Sequence, residues 1–504
     1  MAVKGFKRNF SPLKVLTDEQ VQTIHQGTLR VLKETGVTVN SEKALNLLAE
    51  KGCEVNLETK RVRIPEWMVM DCLEKSPSTF KVCARETDND MVVTGGGDFT
   101  AFCHSSAMNT LDLEKLEPRE ATRKEFYDFI TVLYALPHVH MHKSFPYFGF
   151  AKVPQCMKLL ESNAGKIRNS TKVQMEGSVL GNDLFTIEMA KATKQELFNM
   201  VNPAAPLTFL EDSVKSVYRY IDEGMPFHFA SGPVAGSTGP ATLAGTLMTN
   251  NAESLAGIVL AQSIKPGTRI WIGNFVTVQN MRTGSPAFGA IENSLHEVAL
   301  NQMWRMYKVP NWASCAAWCS SKLIDFQAAY ETSMTALNAA LSGASVVYFQ
   351  GGINAQLTIH PIKAVMDDDI AGMIGRFLRG MEVNEDTVPV DLVNQVGPIP
   401  GHFLSTLHTR EWWKKEQYFP VLADRLPFPE WAKQGKKKLI DYAREKMEHI
   451  LETVKAPPLP PEQEQAIEDI LKDAREYYRK KGMITAEEWK LYQEDLSSPN
   501  YPYA

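Results

Sequence analysis

The sequence predicts a (β/α)8 barrel with a helical N-terminal region and a helical C-terminal extension. Two observations carry this. From about residue 130, short apolar runs recur, each followed by a stretch of helical periodicity. The runs start 20 to 42 residues apart, the repeat of β/α units. The alternative, a doubly wound open sheet, is disfavoured because the first strand-to-helix turn lacks a GxGxxG fingerprint.

In chain order, residues 17–35 open on "TDEQ", where Thr17 and Gln20 form a capping-box pattern. Val21, Ile24, Val31 and Leu32 then supply an apolar stripe, and Gly36 stands at the C-cap position. Residues 41–52 and 65–75 read as further short helices. Residues 94–113, "TGGGDFTAFCHSSAMNTLDL", read as a glycine- and hydroxyl-rich segment covering the barrel mouth. Residues 1–125 are therefore expected to form the N-terminal region.

The barrel is expected over 126–410. Its strands are placed at 138–145, 172–180, 206–212, 226–234, 268–275, 310–318 and 344–352, with an eighth near "GHFLS" at 401–405. Residues 411–504 form the extension: a helix over 430–454, a proline-rich linker over 456–463 and a helical hairpin over 464–492. This tail is expected to wrap the barrel or to make a subunit contact in a homo-oligomer.

Composition excludes several classes. The net charge is -5, with acidic and basic residues mixed along the chain, which argues against nucleic acid or a membrane surface as partner. No apolar run approaches the length that spans a bilayer. The opening "MAVKGFKRNFSPLK" has no apolar core behind its basic residues, so no secretory signal is expected there. Seven cysteines without regular spacing fit reduced thiols in a cytoplasm. The closest pair, Cys315 and Cys319, reads as core, since no second pair lies near to complete a metal site.

Barrel active sites are built at the C-terminal strand ends. Those ends carry His142 and Phe145, Glu176, Glu211 and Asp212, His228 and Phe229, Asn274 and Phe275, Trp318, and Phe349 and Gln350. Aromatic and amide side chains dominate, with no cluster of two histidines and a carboxylate. Such a mouth suits a bulky soft cation, because aromatic faces attract quaternary ammonium groups. The turn "SGPVAGSTGP" (231–240) has two readings. Its amides at Gly236, Ser237, Thr238 and Gly239 receive an anion, or it is a tight turn under a neighbouring loop. Pro240 is placed in the first turn of the next helix, with Ser237 or Thr238 as its cap.

Three blocks then carry a resemblance: "SGPVAGSTGPATLAGTLMTNNAESLAGIVLAQ", "DFQAAYETSMTALNAALSGAS" and "DDDIAGMIGRFLRGMEV" with "VGPIPGHFLSTLHTREWW". Together, over about residues 15–452, the chain resembles the trimethylamine methyltransferase family of corrinoid-dependent methyltransferases. The resemblance implies a (β/α)8 barrel that passes a methyl group from an amine to the Co(I) corrinoid (cobalamin) of a separate cognate corrinoid protein, with no metal bound directly. No pyrrolysine is written in the sequence. This implies the branch acting on quaternary amines such as glycine betaine, related betaines and carnitine.

On that resemblance, Phe102, Phe229, Phe275, Trp318 and Phe349 are assigned to an aromatic cage for the trimethylammonium head. His228, Asn274, Gln350 and His408, or the amides of 236–239, are assigned to a carboxylate tail; the same amides are the expected cofactor contact. Glu176 and Glu253 are candidates to balance the cation. His104 and Ser105 read as a lid or a free surface loop, and Asp367–Asp369 as the solvated start of a helix. No acid–base residue is required. Two rivals remain open at this stage: a non-catalytic quaternary-amine binder, and a tertiary-amine demethylase. A Schiff-base aldolase is a third, with Lys143 and Lys172 as the lysines in strand segments.

Overall fold

The structure, a computed structural model, describes residues 4–145, 148–315 and 317–503. Eight parallel strands close into a barrel: β1 (Phe99–Cys103), β2 (Met141–His142), β3 (Val173–Gly177), β4 (Leu197–Val201), β5 (Phe227–Ser231), β6 (Ile270–Asn274), β7 (Asn311–Ala313) and β8 (Val346–Tyr348). Closure is made by β8 against β1, with Val346 opposite Ala101 and Tyr348 opposite Cys103. The outer ring is α1 (Arg123–Ala135), α2 (Gln155–Asn169), α3 (Asp183–Thr193), α4 (Glu211–Asp222), α5 (Leu243–Ile264), α6 (Ile291–Tyr307), α7 (Phe326–Leu341) and α8 (Pro361–Arg379). Local signals set several helix starts. A capping box of Thr122 and Glu125 opens α1, Asp325 accepts from the Ala328 amide at α7, and Pro361 occupies the first position of α8.

The period-2 rule of strands divides the barrel residues into two sets. One set packs as a single cluster inside the barrel: Ala101, Cys103, Met141, Val173, Met175, Phe198, Trp271, Trp312, Val346 and Tyr348. The alternate set meets the helices. Phe102, Val347 and Phe349 pack on alanines of α7 and α8, and Phe227, Phe229, Ile270 and Ile272 join the main helical core. An antiparallel hairpin, Thr79–Val82 with Met91–Thr94, contributes Phe80, Val82, Met91 and Val93 to the interior cluster and closes the N-terminal end of the barrel.

Several expected strands move. The first strand, β1, lies inside the segment expected to cover the mouth, because inward Ala101 and Cys103 are small and leave only a faint apolar signal. The run at 206–212 is not a barrel strand. Thr208–Phe209 pairs with Val37–Val39 in a small N-terminal sheet, and β4 is the preceding run, interrupted in sequence by the buried Asn199. Residues 401–405 form exposed turns, and β8 is the run at 346–348.

The expected N-terminal helices form at Asp18–Glu34, Glu42–Glu50 and Glu66–Lys75, the first with its Thr17–Gln20 capping box. All three pack against α5, whose 22 residues include Glu253 as their one charge. This explains the near-absence of charge: α5 is buried on almost every side. It begins at Leu243 rather than near Pro240, because Thr238 Oγ1 is occupied in accepting the Val234 amide at 2.8 Å.

The C-terminal helices Leu439–Thr453, Pro461–Lys480 and Ala486–Leu496 wrap the barrel. Gly435, at φ 85°, separates Leu439–Thr453 from a short helix, Phe428–Lys433. Arg168 of α2 meets Glu464 and Glu468, and Arg123 of α1 meets Glu161 and Asp495. Asp367–Asp369 are buried rather than solvated. They accept the amides of Gly351, His138 and Val421 respectively, tying α8 to β8, β2 and the extension. No helix among the described residues is long and apolar enough to cross a membrane.

Candidate active site

Above the closing hairpin, side chains stack in a column toward the C-terminal mouth. Phe80 and Phe198 pack on Trp271 at centroid distances of 5.5 and 4.7 Å. Trp312 lies above, 5.7 Å from Trp271, and His228 stacks on it at 4.5 Å with the planes 26° apart. Next come Tyr348, Phe275 and Trp318, with Trp318 5.8 Å from Tyr348 and 5.6 Å from Phe275. Half-buried Phe288, 5.0 Å from Trp318, marks the outer edge. The mouth is thus a ring-walled cup whose floor is aromatic.

Among the expected site residues, the structure brings His228, Phe275 and Trp318 together in this cup. The others lie elsewhere. Phe102, Phe229 and Phe349 have the opposite parity and face the helices; Phe229 stacks on Phe209 at 5.5 Å. Glu176 is sealed behind β3 in an ion pair with Lys166 at 2.6 Å, and burial raises its carboxyl to about 7. Glu253 accepts from the Ser231 hydroxyl and from the Leu207 amide. Asn274 bridges Asn250 and Glu297 between α5 and α6. Gln350 donates to the His138 carbonyl at 3.1 Å.

His408 belongs to a helix whose Glu416 pairs with Arg376 near the C-terminal end of α8, the end of that helix farthest from the mouth. In the turn at 236–239, the amides of Gly236, Ser237 and Gly239 donate to carbonyls of the same loop. Three of the four expected anion donors are therefore already spent.

His104 is a buried clamp rather than a lid. Its Nδ1–H donates to the Ser105 carbonyl at 2.5 Å, and its Nε2 accepts the Lys143 amide at 3.0 Å. Burial holds its imidazole neutral, with its pKa down at about 3. It thereby fixes the backbone of Lys143, the residue after β2, whose carbonyl also accepts from Lys166 Nζ at 3.3 Å. The Lys143 side chain enters the cup. Its Nζ stands 3.9 Å from the centroid of Tyr348 and 5.2 Å from that of Phe275, over ring faces that attract a cation.

Sequence reasoning passed over Tyr348, Trp312 and Phe288, and weighed Lys143 only as the Schiff-base lysine of a rival reading. For Tyr348 and Trp312 the signal was strand parity, since each stands one residue from an outward neighbour. His228 is fully buried with both ring nitrogens unpartnered among the described residues. Burial first, and the Lys143 charge second, keep it neutral well below its usual range. Beside the cup, a cleft of about 320 Å3 opens at the ends of β3 and β4, lined by Ser144, Gly177, Met200, Asp183 and Arg219.

The geometry offers aromatic faces and the Lys143 cation. Known proteins resemble this chain along most of its length. A glycine betaine methyltransferase of Desulfitobacterium hafniense (strain Y51) is 34% identical, over 89% of this chain and 94% of that one. A trimethylamine methyltransferase of Methanosarcina barkeri (strain Fusaro) is 29% identical, over 94% of this chain and 96% of that one. Among solved structures, the monomethylamine methyltransferase of Methanosarcina barkeri aligns over 86% of this chain and 92% of that one, with a TM-score of 0.47 at 13% identity. The model of the trimethylamine methyltransferase family matches residues 1–477. With that match spanning nearly the whole chain and the barrel that the three sequence blocks imply now in view, the protein belongs to the trimethylamine methyltransferase (MTTB) family.

Proposed function

We propose that the protein takes a methyl group from a quaternary amine, glycine betaine or a related betaine or carnitine, and passes it to the Co(I) corrinoid of a cognate carrier protein. The observation that carries this reading is the cup itself: Phe275, Phe288 and Tyr348 gather in ring contact around Trp318 at the C-terminal end of the barrel. A permanently charged onium suits ring faces, each contact contributing about 0.5–2 kcal/mol when desolvated. The likeness to a glycine betaine methyltransferase supports the same substrate class.

A quaternary nitrogen also suits the surroundings. When its methyl–nitrogen bond breaks, the electron pair stays on nitrogen and a neutral tertiary amine leaves, so no proton has to be supplied. His228 is neutral and Glu176 is sealed behind the wall, which agrees with a site that works by positioning and by exclusion of water. The corrinoid supplies the nucleophile. Residues of the mouth face fit a docked carrier: Met108, Met281, Ile291, Phe326 and Leu357 lie on loops and helix ends at this face and are exposed, Phe326 by 83% and Met281 by 76%.

The test is to incubate the pure protein with Co(I) cobalamin and a panel of betaines, carnitine and trimethylamine. Conversion of the Co(I) spectrum to that of methylated cobalamin, with release of the tertiary amine, is the expected result for a quaternary substrate. A response to trimethylamine alone would replace this reading with the tertiary one. Binding of a betaine without any spectral change would favour a non-catalytic binder.

A further inference from the structure

The cup holds a surplus of donors and no anion. Lys143 crosses the mouth from β2 to rings on β8 and just beyond β6, which faces β2 across the barrel. It is 6% exposed, and among the described residues no carboxylate lies within ion-pair distance of its ammonium. The indole N–H groups of Trp312 and Trp318 and the hydroxyl of Ser314 are likewise buried without a partner among the described residues. The other titratable groups that face the lysine are neutral. Burial raises the thiols of Cys103 and Cys315 and the phenol of Tyr348, and His228 is uncharged. Lys166, beneath the Lys143 carbonyl, is already committed to Glu176.

A buried cation with ring faces but no counter-charge is poorly compensated. Accordingly, burial draws the Lys143 ammonium down to about 8. A ligand that brings two acceptor oxygens would answer both the charge and the idle N–H groups. The same cation repels an onium from the Tyr348 and Phe275 faces nearest to it, leaving Trp318 and Phe288 nearer the rim as the faces for the methylated head.

We propose that Lys143 binds the carboxylate of a zwitterionic methylated amine and thereby sets both the specificity of the site and the direction in which substrate lies, carboxylate inward and onium toward the rim. This assignment rests on the quaternary-amine reading above for the head of the substrate, but its carboxylate half can be tested separately. It places Lys143 in contact with substrate and makes His104, which holds the Lys143 amide, a positioning residue. Cations without a carboxylate, such as choline or tetramethylammonium, are disfavoured substrates.

The test is calorimetric titration of the full chain with three probes: glycine betaine; 3,3-dimethylbutanoate, its carbon isostere with a carboxylate and no charge on the head; and choline. Lys143→Met is expected to weaken glycine betaine and 3,3-dimethylbutanoate by roughly 30-fold, the scale of a hydrogen bond to a charged group, while choline binds as well or better. Lys143→Arg is expected to keep the preference for carboxylates. At pH 8.5, binding of glycine betaine to the wild type should take up protons, read by repeating the titration in buffers of different ionisation enthalpy, and this uptake should vanish in Lys143→Met.

Equal weakening of all three probes, or none, overturns the assignment, as does loss of the preference in Lys143→Arg. Binding of 3,3-dimethylbutanoate that depends on Lys143, together with no response to any quaternary amine, would uphold the lysine and overturn the substrate reading. Demethylation of glycine betaine by Lys143→Met with unchanged KM would do the reverse. A wild type that binds none of the probes overturns both.

Discussion

Glu297 is a carboxyl held among amides. Its Oε2 accepts from Asn274 at 2.6 Å, and burial lifts it to about 8 from an ordinary 4.5. A carboxyl raised on folding contributes stability that is fully present below pH 4.5 and is lost as pH climbs through about 8. We expect stability to fall by an amount on the order of 3 kcal/mol across that window. Glu297→Gln, neutral throughout, should flatten the decline; denaturant titrations at pH 5 and pH 8 read the difference. Gly273 matters through the side chain it lacks. A methyl group there would strike His228 Nε2, so Gly273→Ala should push the imidazole off Trp312 and weaken amine binding by roughly 10-fold, as overpacking does. Calorimetry beside an unchanged far-ultraviolet spectrum would register this. Residue identity in the cup was only half legible in the sequence. The sequence marks aromatics near most of the expected strand ends, but the face they occupy turns on a single step of register. Phe349 and Tyr348 are neighbours, and only Tyr348 looks inward. Lys143 was visible as a strand-segment lysine, but its place among the rings was not, because that depends on the opposite wall of the barrel.

Elements were more legible than residues where their signals are local. The Thr17–Gln20 box gave one helix start, and the spacing of apolar runs gave most of the barrel strands. β1 and β4 were harder. The first is built around small inward side chains, and the second carries Asn199, whose amide bonds Ser216 on α4 at 2.6 Å; both choices are set by tertiary packing. That the extension could wrap the barrel was an expectation, but the side chains that hold it there were not legible, since charge pairs across some 300 residues leave no pattern. Arg168 of α2 sends its guanidinium to Glu464 at 2.7–2.8 Å and to Glu468 at 2.5 Å. Arg168→Met should cost about 1–3 kcal/mol, because the carboxylates are half-exposed while the arginine is buried. The loss should appear as earlier proteolysis of the Pro461–Lys480 helix than of the barrel core.

At the scale of the molecule, the mouth face combines a concave aromatic site with a convex apolar surround. Phe326 and Tyr330 lie 5.6 Å apart on the first turns of α7, with Phe326 among the most exposed apolar side chains in the protein. We expect Phe326→Glu with Met281→Glu to slow methyl transfer to a carrier-bound corrinoid by 10-fold or more, roughly the loss on placing charge in an apolar contact. Transfer to free cobalamin should be unchanged, because neither residue lines the cup. Parallel assays with the two acceptors separate docking from chemistry.

The hairpin that carries Phe80 and Met91 has a kinetic meaning. It stoppers the barrel from below, so the molecule is a blind-ended well. On the function proposed here, donor and acceptor must share one doorway: the amine goes in first, the carrier then sits on top of it, and the spent amine waits for the carrier to depart. Traffic is therefore single-file, and an excess of idle carrier should throttle turnover by occupying the entrance of an empty well.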